Sequence, residues 1–146
     1  MAAFHFPLER VLRWRSLQLA AEQAKLDRLI AEQLRLRALQ ARLSNEKLTF
    51  MSTLERLPDL RGQDFRAAAC YSASLQRQHQ RIAASIAECE KALAEQRNAY
   101  RAAKQRCRLL EELKDRRHEE WRREEASQLE ALASESYLAN WNRTHT

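Results

Sequence analysis

His118-Glu119-Glu120-Trp121-Arg122 begins like the zinc motif of metalloproteases. That motif puts two histidines four residues apart on one helical face, so that both imidazoles reach the metal. Here the second histidine is replaced by Arg122, which has no lone pair to offer. His5, His79 and His145 have no Cys or carboxylate beside them at ligand spacing. Cys70, Cys89 and Cys107 are odd in number and lie 19 and 18 residues apart. On a helix such neighbours are about 27 Å apart, beyond disulfide or shared-metal reach. Cys89 and Cys107 read as small hydrophobes, and Cys70 as a surface thiol with nothing nearby to activate it. No nucleophile with a base at hand can be assembled from these side chains. The expectation is a protein that is not an enzyme, with no metal, cofactor or small-molecule ligand.

The elements that would have to position any site are themselves constrained. The chain has 146 residues with one glycine, two prolines, 32% charged and 7% aromatic residues. Average usage would supply about 10 glycines and 7 prolines at this length. Sheet folds need such residues at their turns, and phosphate loops need clustered glycines, so both classes are excluded. The apolar residues are mostly Leu and Ala, which favour long helices. No signal-peptide pattern and no run of about 18 apolar residues is present, which predicts a cytosolic chain with reduced thiols.

Pro7, Pro58 and Gly62 are the only helix-breaking residues. They predict helix one over about 7–57, a turn over 58–63, helix two over about 64–138, and a frayed tail over 139–146. Pro7 suits the first turn of helix one, and Pro58 stops that helix. Gly62 offers a positive-φ position in the reversal, and Asp64 an N-cap. Heptad reading gives helix one a seam of Leu8, Leu12, Leu19, Leu26, Leu29, Leu36, Leu43, Phe50, Leu54 and Leu57. Arg15, Glu22, Gln33, Gln40 and Lys47 interrupt it. In helix two the seam is Phe65, Ala68, Leu75, Ile82, Ile86, Cys89, Leu93, Tyr100, Ala103, Cys107 and Leu110, broken by Ser72, His79 and Gln96. A sustained 3.5-residue repeat predicts coiled-coil pairing, and a short connector makes the two helices antiparallel. The fold class expected is all-α, an antiparallel coiled-coil hairpin whose second helix is longer and overhangs. Facing residue numbers should then sum to about 121.

On that register helix one runs out opposite Leu113, and Lys114, Arg117 and Glu124 take positions that had been apolar. Trp121 stands among Arg116, Arg117, Arg122 and Arg123, a composition enriched where proteins bind one another. It has two readings, a partner contact or a ring packed on the folded-back N-terminus. Phe4 and Phe6 lie at the same end, so the candidate partner-binding residues are Phe4, Phe6, Lys114, Arg116, Arg117, Trp121, Arg122 and Arg123. Ile30, Leu34, Leu39, Leu48 and Met51 fall off the seam, marking a register shift, a second binding stripe or scattered surface residues. The formal charge is +6, but acids are interleaved among nearly all the bases and no groove-reading motif appears, so nucleic acid is not an expected partner.

The same two ends carry a family resemblance. The opening Phe4-His-Phe-Pro-Leu-Glu-Arg-Val-Leu-Arg-Trp-Arg15 resembles the start of FliJ, a component of the bacterial flagellar type III export apparatus. The tract Leu110-Glu-Glu-Leu-Lys-Asp-Arg-Arg-His-Glu-Glu-Trp-Arg-Arg-Glu-Glu125 is similar to that family's charged signature near its C-terminus. The resemblance implies a stalk like the central subunit of rotary F-type ATPases. Its implied partners are the flagellar export ATPase, the membrane-embedded export gate and export chaperones. It also implies a cytoplasmic place, peripheral to the inner membrane. After Glu125 the chain departs from the family pattern, turning to Ser127, Gln128, Leu129, Ala131 and Leu132. An injectisome stalk and a homotypic coiled-coil scaffold are the alternatives, with a basic helical nucleic-acid binder behind them.

Overall fold

The structure, a computed structural model, describes residues 2–57 and 61–146. It is all-α, with α1 over Glu9–Arg56 (48 residues) and α2 over Gly62–His145 (84 residues). The two helices pair side by side, antiparallel, as a coiled-coil hairpin with the second helix longer. The reversal assigned to Pro58, Asp59 and Leu60 lies outside the described residues.

The ends of the helices differ from expectation in four ways. Pro7 and Leu8 form a turn before α1 rather than its first turn, and the Glu9 amide donates to the Phe6 carbonyl at 3.1 Å. Gly62 has no positive φ; it is the first residue of α2. The first α2 bond runs from the Phe65 amide to the Arg61 carbonyl at 3.0 Å. Asp64 therefore sits within the first turn and not at the cap, where its carboxylate still complements the free amides of the helix start. Finally, α2 continues through 139–145, which had been expected to fray. Its last carbonyls find local donors there: the Thr144 hydroxyl donates to the Asn140 carbonyl at 3.0 Å, and Thr146 to that of Asn142 at 2.7 Å. The Trp141 and His145 rings stack 3.6 Å apart, one turn from each other.

The chain divides into two compact units: Ala20–Arg101, and Met1–Leu19 with Ala102–Thr146. A two-helix pair has no third element to tie distant turns together, so contacts form only between residues that face each other.

In Ala20–Arg101 the core is Leu26, Leu36, Ile86, Cys89 and Leu93, with Leu29, Ile82 and Tyr100 packed against it. Every one of these is a seam position, and Leu93 is the most deeply buried at 2% exposure. Two polar seam residues meet: the Gln96 amide donates to the Glu22 carbonyl at 3.1 Å and to the Glu22 carboxylate. Cys89 Sγ donates to the Leu29 carbonyl at 3.6 Å, and Arg37 pairs with Glu90 at 2.9 Å. Phe50 meets Tyr71 edge-on at 4.7 Å, a pair whose numbers sum to 121. Near Lys47, Phe65 and Ser72 the seam loosens and these side chains are exposed, leaving a cavity of about 610 Å³ between Phe50, Leu54 and Ala68. Ile30, Leu34, Leu48 and Met51 are exposed while Leu39 is partly covered. The repeat through Leu36, Leu43 and Phe50 stays covered past them, so they mark no shift of register.

In the other unit Phe6, Leu12, Ala103 and Cys107 are buried. Ser16 Oγ lies 3.5 Å from Cys107 Sγ, which also donates to Glu111 at 3.6 Å. All three cysteines are free thiols.

Candidate partner-binding surface

The candidate surface lies wholly within the unit formed by the N-terminal residues and the second half of α2. Proline at position 7 and the turn that follows keep residues 2–6 out of the helix, so this segment is free to lie along α2. It does so. Phe4 stands edge-on to His118, with ring centroids 4.9 Å apart, and tilts against Trp121 at 5.9 Å. His118 and Trp121 are 5.8 Å apart, three residues along the same helical face. A cavity of about 500 Å³ opens between Phe4, Phe6, Leu113, Arg117 and Trp121. A smaller one of about 160 Å³ sits between Ala2, Trp121, Glu125 and Gln128.

Two corrections follow from this geometry. Lys114–Gln128 is not the bare overhang that the register implied, because the N-terminal segment covers one side of it; the uncovered helix begins after Gln128, and every residue from 129 to 146 is exposed. Phe6 is only 4% exposed, a core residue beside Leu8 and Leu113, and so has almost no surface to offer a partner. Hydrophobic transfer explains its place, since burying one phenyl ring stabilises by about 2–3 kcal/mol.

The charged residues separate by face. Lys114 reaches across to Glu9 at 2.9 Å and is half-buried. Arg117 shares the Trp121 side and lies 3.9 Å from Glu120. Arg123 lies 3.7 Å from Glu119. Arg116 and Arg123, seven residues apart, share a second face away from Trp121, and Arg122 lies between. All four arginines are exposed, yet they ring the helix instead of forming one patch. Trp121 itself is partly covered, since Phe4 takes one side of its ring. Both readings of this residue thus apply in part: it packs on the N-terminal segment and still presents an edge.

Sequence reasoning missed His118, Glu9 and Leu113 as parts of this surface. His118 was visible as the residue one turn before Trp121, but its partner comes from a non-helical segment to which no periodicity applies. Glu9 could have been found from the register, since it lies nearly opposite Lys114. Among the described residues, no group of three His, Cys, Asp or Glu side chains is placed to hold a metal, and no helix is long and apolar enough to cross a membrane. The arrangement offers an apolar aromatic notch bordered by Arg117 on one hand and by Glu120 and Glu124 on the other. No protein-family model, curated protein or solved structure matches the chain.

Proposed function

We propose that this chain is a non-enzymatic stalk of the bacterial flagellar type III protein export apparatus. In this reading the end holding Phe4 and Trp121 engages the export ATPase ring, and the coiled coil links that ring to the membrane-embedded export gate. Export chaperones are further partners, and the site of action is the cytoplasmic side of the inner membrane. One observation supports the reading above the others. The two stretches on which the family resemblance rests are separated by some 100 residues, and they meet: Phe4 lies against both His118 and Trp121. A structural role for either stretch alone would not require that contact. The exposed Arg116, Arg117, Arg122 and Arg123 encircle α2 at this level and suit an acidic collar on a ring-shaped partner.

The test is capture of the export ATPase by the full chain. Replacing Arg116, Arg117, Arg122 and Arg123 by Glu removes capture while circular dichroism keeps its helical signal. Undiminished capture by a folded variant overturns the assignment of this end.

A further inference from the structure

We infer that the outward side of the first turns of α1 is a docking surface for an anionic phospholipid membrane. Val11, Trp14 and Leu17 follow one another at three-residue spacing and are all exposed, Trp14 at 52% and Leu17 at 70%. Three large apolar side chains in succession on the solvent side serve no purpose in the hairpin, whose buried contact here is Leu12. Their charged surroundings are basic. From Arg10 to Ala21 there are three arginines and no acid. The neighbouring Glu9 is engaged by Lys114 at 2.9 Å. Along the exposed ridge itself the fixed charges therefore have one sign.

The arginines are arranged for two tasks. Arg15 places its guanidinium 4.8 Å from the centre of the Trp14 ring and donates to Gln18 at 3.2 Å, which holds the indole in place. Arg10 and Arg13 have no ion pair or hydrogen bond among the described residues. They border a cavity of about 460 Å³ with Phe4, His5 and Phe6. Two uncommitted guanidiniums one turn apart suit a phosphodiester headgroup, whose oxygens accept from both. The indole beside them suits the headgroup boundary, where Trp is enriched, and Val11 and Leu17 suit the outer acyl region.

A lipid surface fits better than a protein groove for a geometric reason. The ridge is convex, and its arginines flank Trp14 on both sides. A protein would need a socket for the ring with acids on each wall, whereas a lipid interface yields to any apolar ridge and gives every arginine a phosphate. The inference does not depend on the stalk reading, because its deciding readout, binding to vesicles, involves no second protein.

The experiment uses the full chain carrying Trp121→Phe and Trp141→Phe, so that Trp14 alone reports. Vesicles of equal parts phosphatidylglycerol and phosphatidylcholine should shift its emission to the blue and carry the chain upward on flotation. Vesicles of phosphatidylcholine alone should do neither. Raising salt should weaken the binding, and each of Arg10→Gln and Arg13→Gln should lower it about fivefold with helicity unchanged. Trp14→Ser in the natural-tryptophan chain should abolish flotation. Absence of binding to the anionic vesicles at low salt overturns the inference, as does equal binding by the Arg10→Gln/Arg13→Gln variant. So does a chain that ignores vesicles but loses ATPase capture on the same two substitutions, which would give this face to a protein.

Discussion

The ring of Phe4 stands at 85° to the imidazole of His118, with centroids 4.9 Å apart, and so fastens a segment outside α1 to the middle of α2. Edge-to-face pairs of this kind contribute about 0.5–1.5 kcal/mol beyond the area they bury. Phe4→Ala should release the segment before α1 without loosening the seam. Amide exchange near Phe6 and Glu9 should quicken, while the Leu93 region keeps its protection. Tryptophan emission should shift to the red as Trp121 gains water. A large fall in Tm would show instead that Phe4 supports the global fold.

Leu93 is the most buried side chain of the seam and Leu34, on the same heptad background, is among the exposed ones. Leu93→Ala deletes packed methyl groups and leaves a void in the cluster it shares with Leu26 and Cys89, which should cost about 3 kcal/mol. Leu34→Ala should change stability by less than about 0.5 kcal/mol. Thermal unfolding of both variants by circular dichroism measures the contrast. Equal effects would mean that Leu34 is covered in solution and that the stripe it belongs to has an occupant.

How far these contacts could be read beforehand follows from periodicity. Leu26, Leu36, Ile86, Cys89 and Leu93 were all seam positions, because a 3.5-residue repeat states directly which side chains meet a partner helix. The interruptions at Glu22 and Gln96 were equally plain, but their hydrogen bond was not. Register places two residues level without saying whether their polar atoms meet. The Phe4 contacts with His118 and Trp121 lay beyond such reasoning, since residues 2–6 have no repeat to follow. Phe6 was misjudged for the same reason: an aromatic outside a helix carries no sign of which way it turns. Gly62 misled because glycine's freedom permits a positive φ without requiring one, and α2 uses it in helical conformation.

That helical conformation gives Gly62 a simple prediction. A Cβ added there meets no atom within 4 Å, and no positive φ opposes it. Gly62→Ala should therefore stabilise the protein by about 0.5 kcal/mol, mainly by narrowing the unfolded ensemble. A rise in Tm supports this. A clear fall would place Gly62 in a left-handed turn in solution, as its position beside Pro58 first suggested.

Glu32 and Arg35 form a bidentate pair, Arg35 Nε donating to Oε2 at 3.0 Å and its Nη2 to Oε1. The hydrogen bonds from Arg35 hold the Glu32 carboxyl below its ordinary value of 4.5, and Glu32 in turn raises Arg35. A depressed carboxyl stabilises the fold at pH values above its unfolded pKa. That contribution is lost as pH falls below about 4.5 through the lowered folded value. Arg35 stays charged throughout, so it adds nothing to the change. The carboxyl resonance of Glu32, followed by NMR, should titrate at lower pH in the native chain than in Arg35→Gln. Both side chains reach solvent, so salt should bring the two titrations together. Identical titrations at low salt would show that the pair does not persist in solution.

The last stretch of α2 poses the opposite case, a helix with nothing beside it. Residues 129–146 are all exposed, including Leu129, Leu132, Tyr137, Leu138 and Trp141. A helix of this length without tertiary contacts is marginal in water, because nucleation is costly and each local contact adds only about 0.2–0.5 kcal/mol. Its hydrogen bonds through Thr144 and its Trp141–His145 stack act within one turn, so they slow fraying without tying the segment to the rest. Truncation after Gln128 should therefore leave the Tm of the seam unchanged while removing part of the helical signal. In the intact chain, amides beyond Leu129 should exchange by orders of magnitude faster than those around Leu93. Slow exchange there would require that the exposed leucines and aromatic rings be covered in solution by another molecule. Protection that rises with protein concentration would then name a second copy as that molecule.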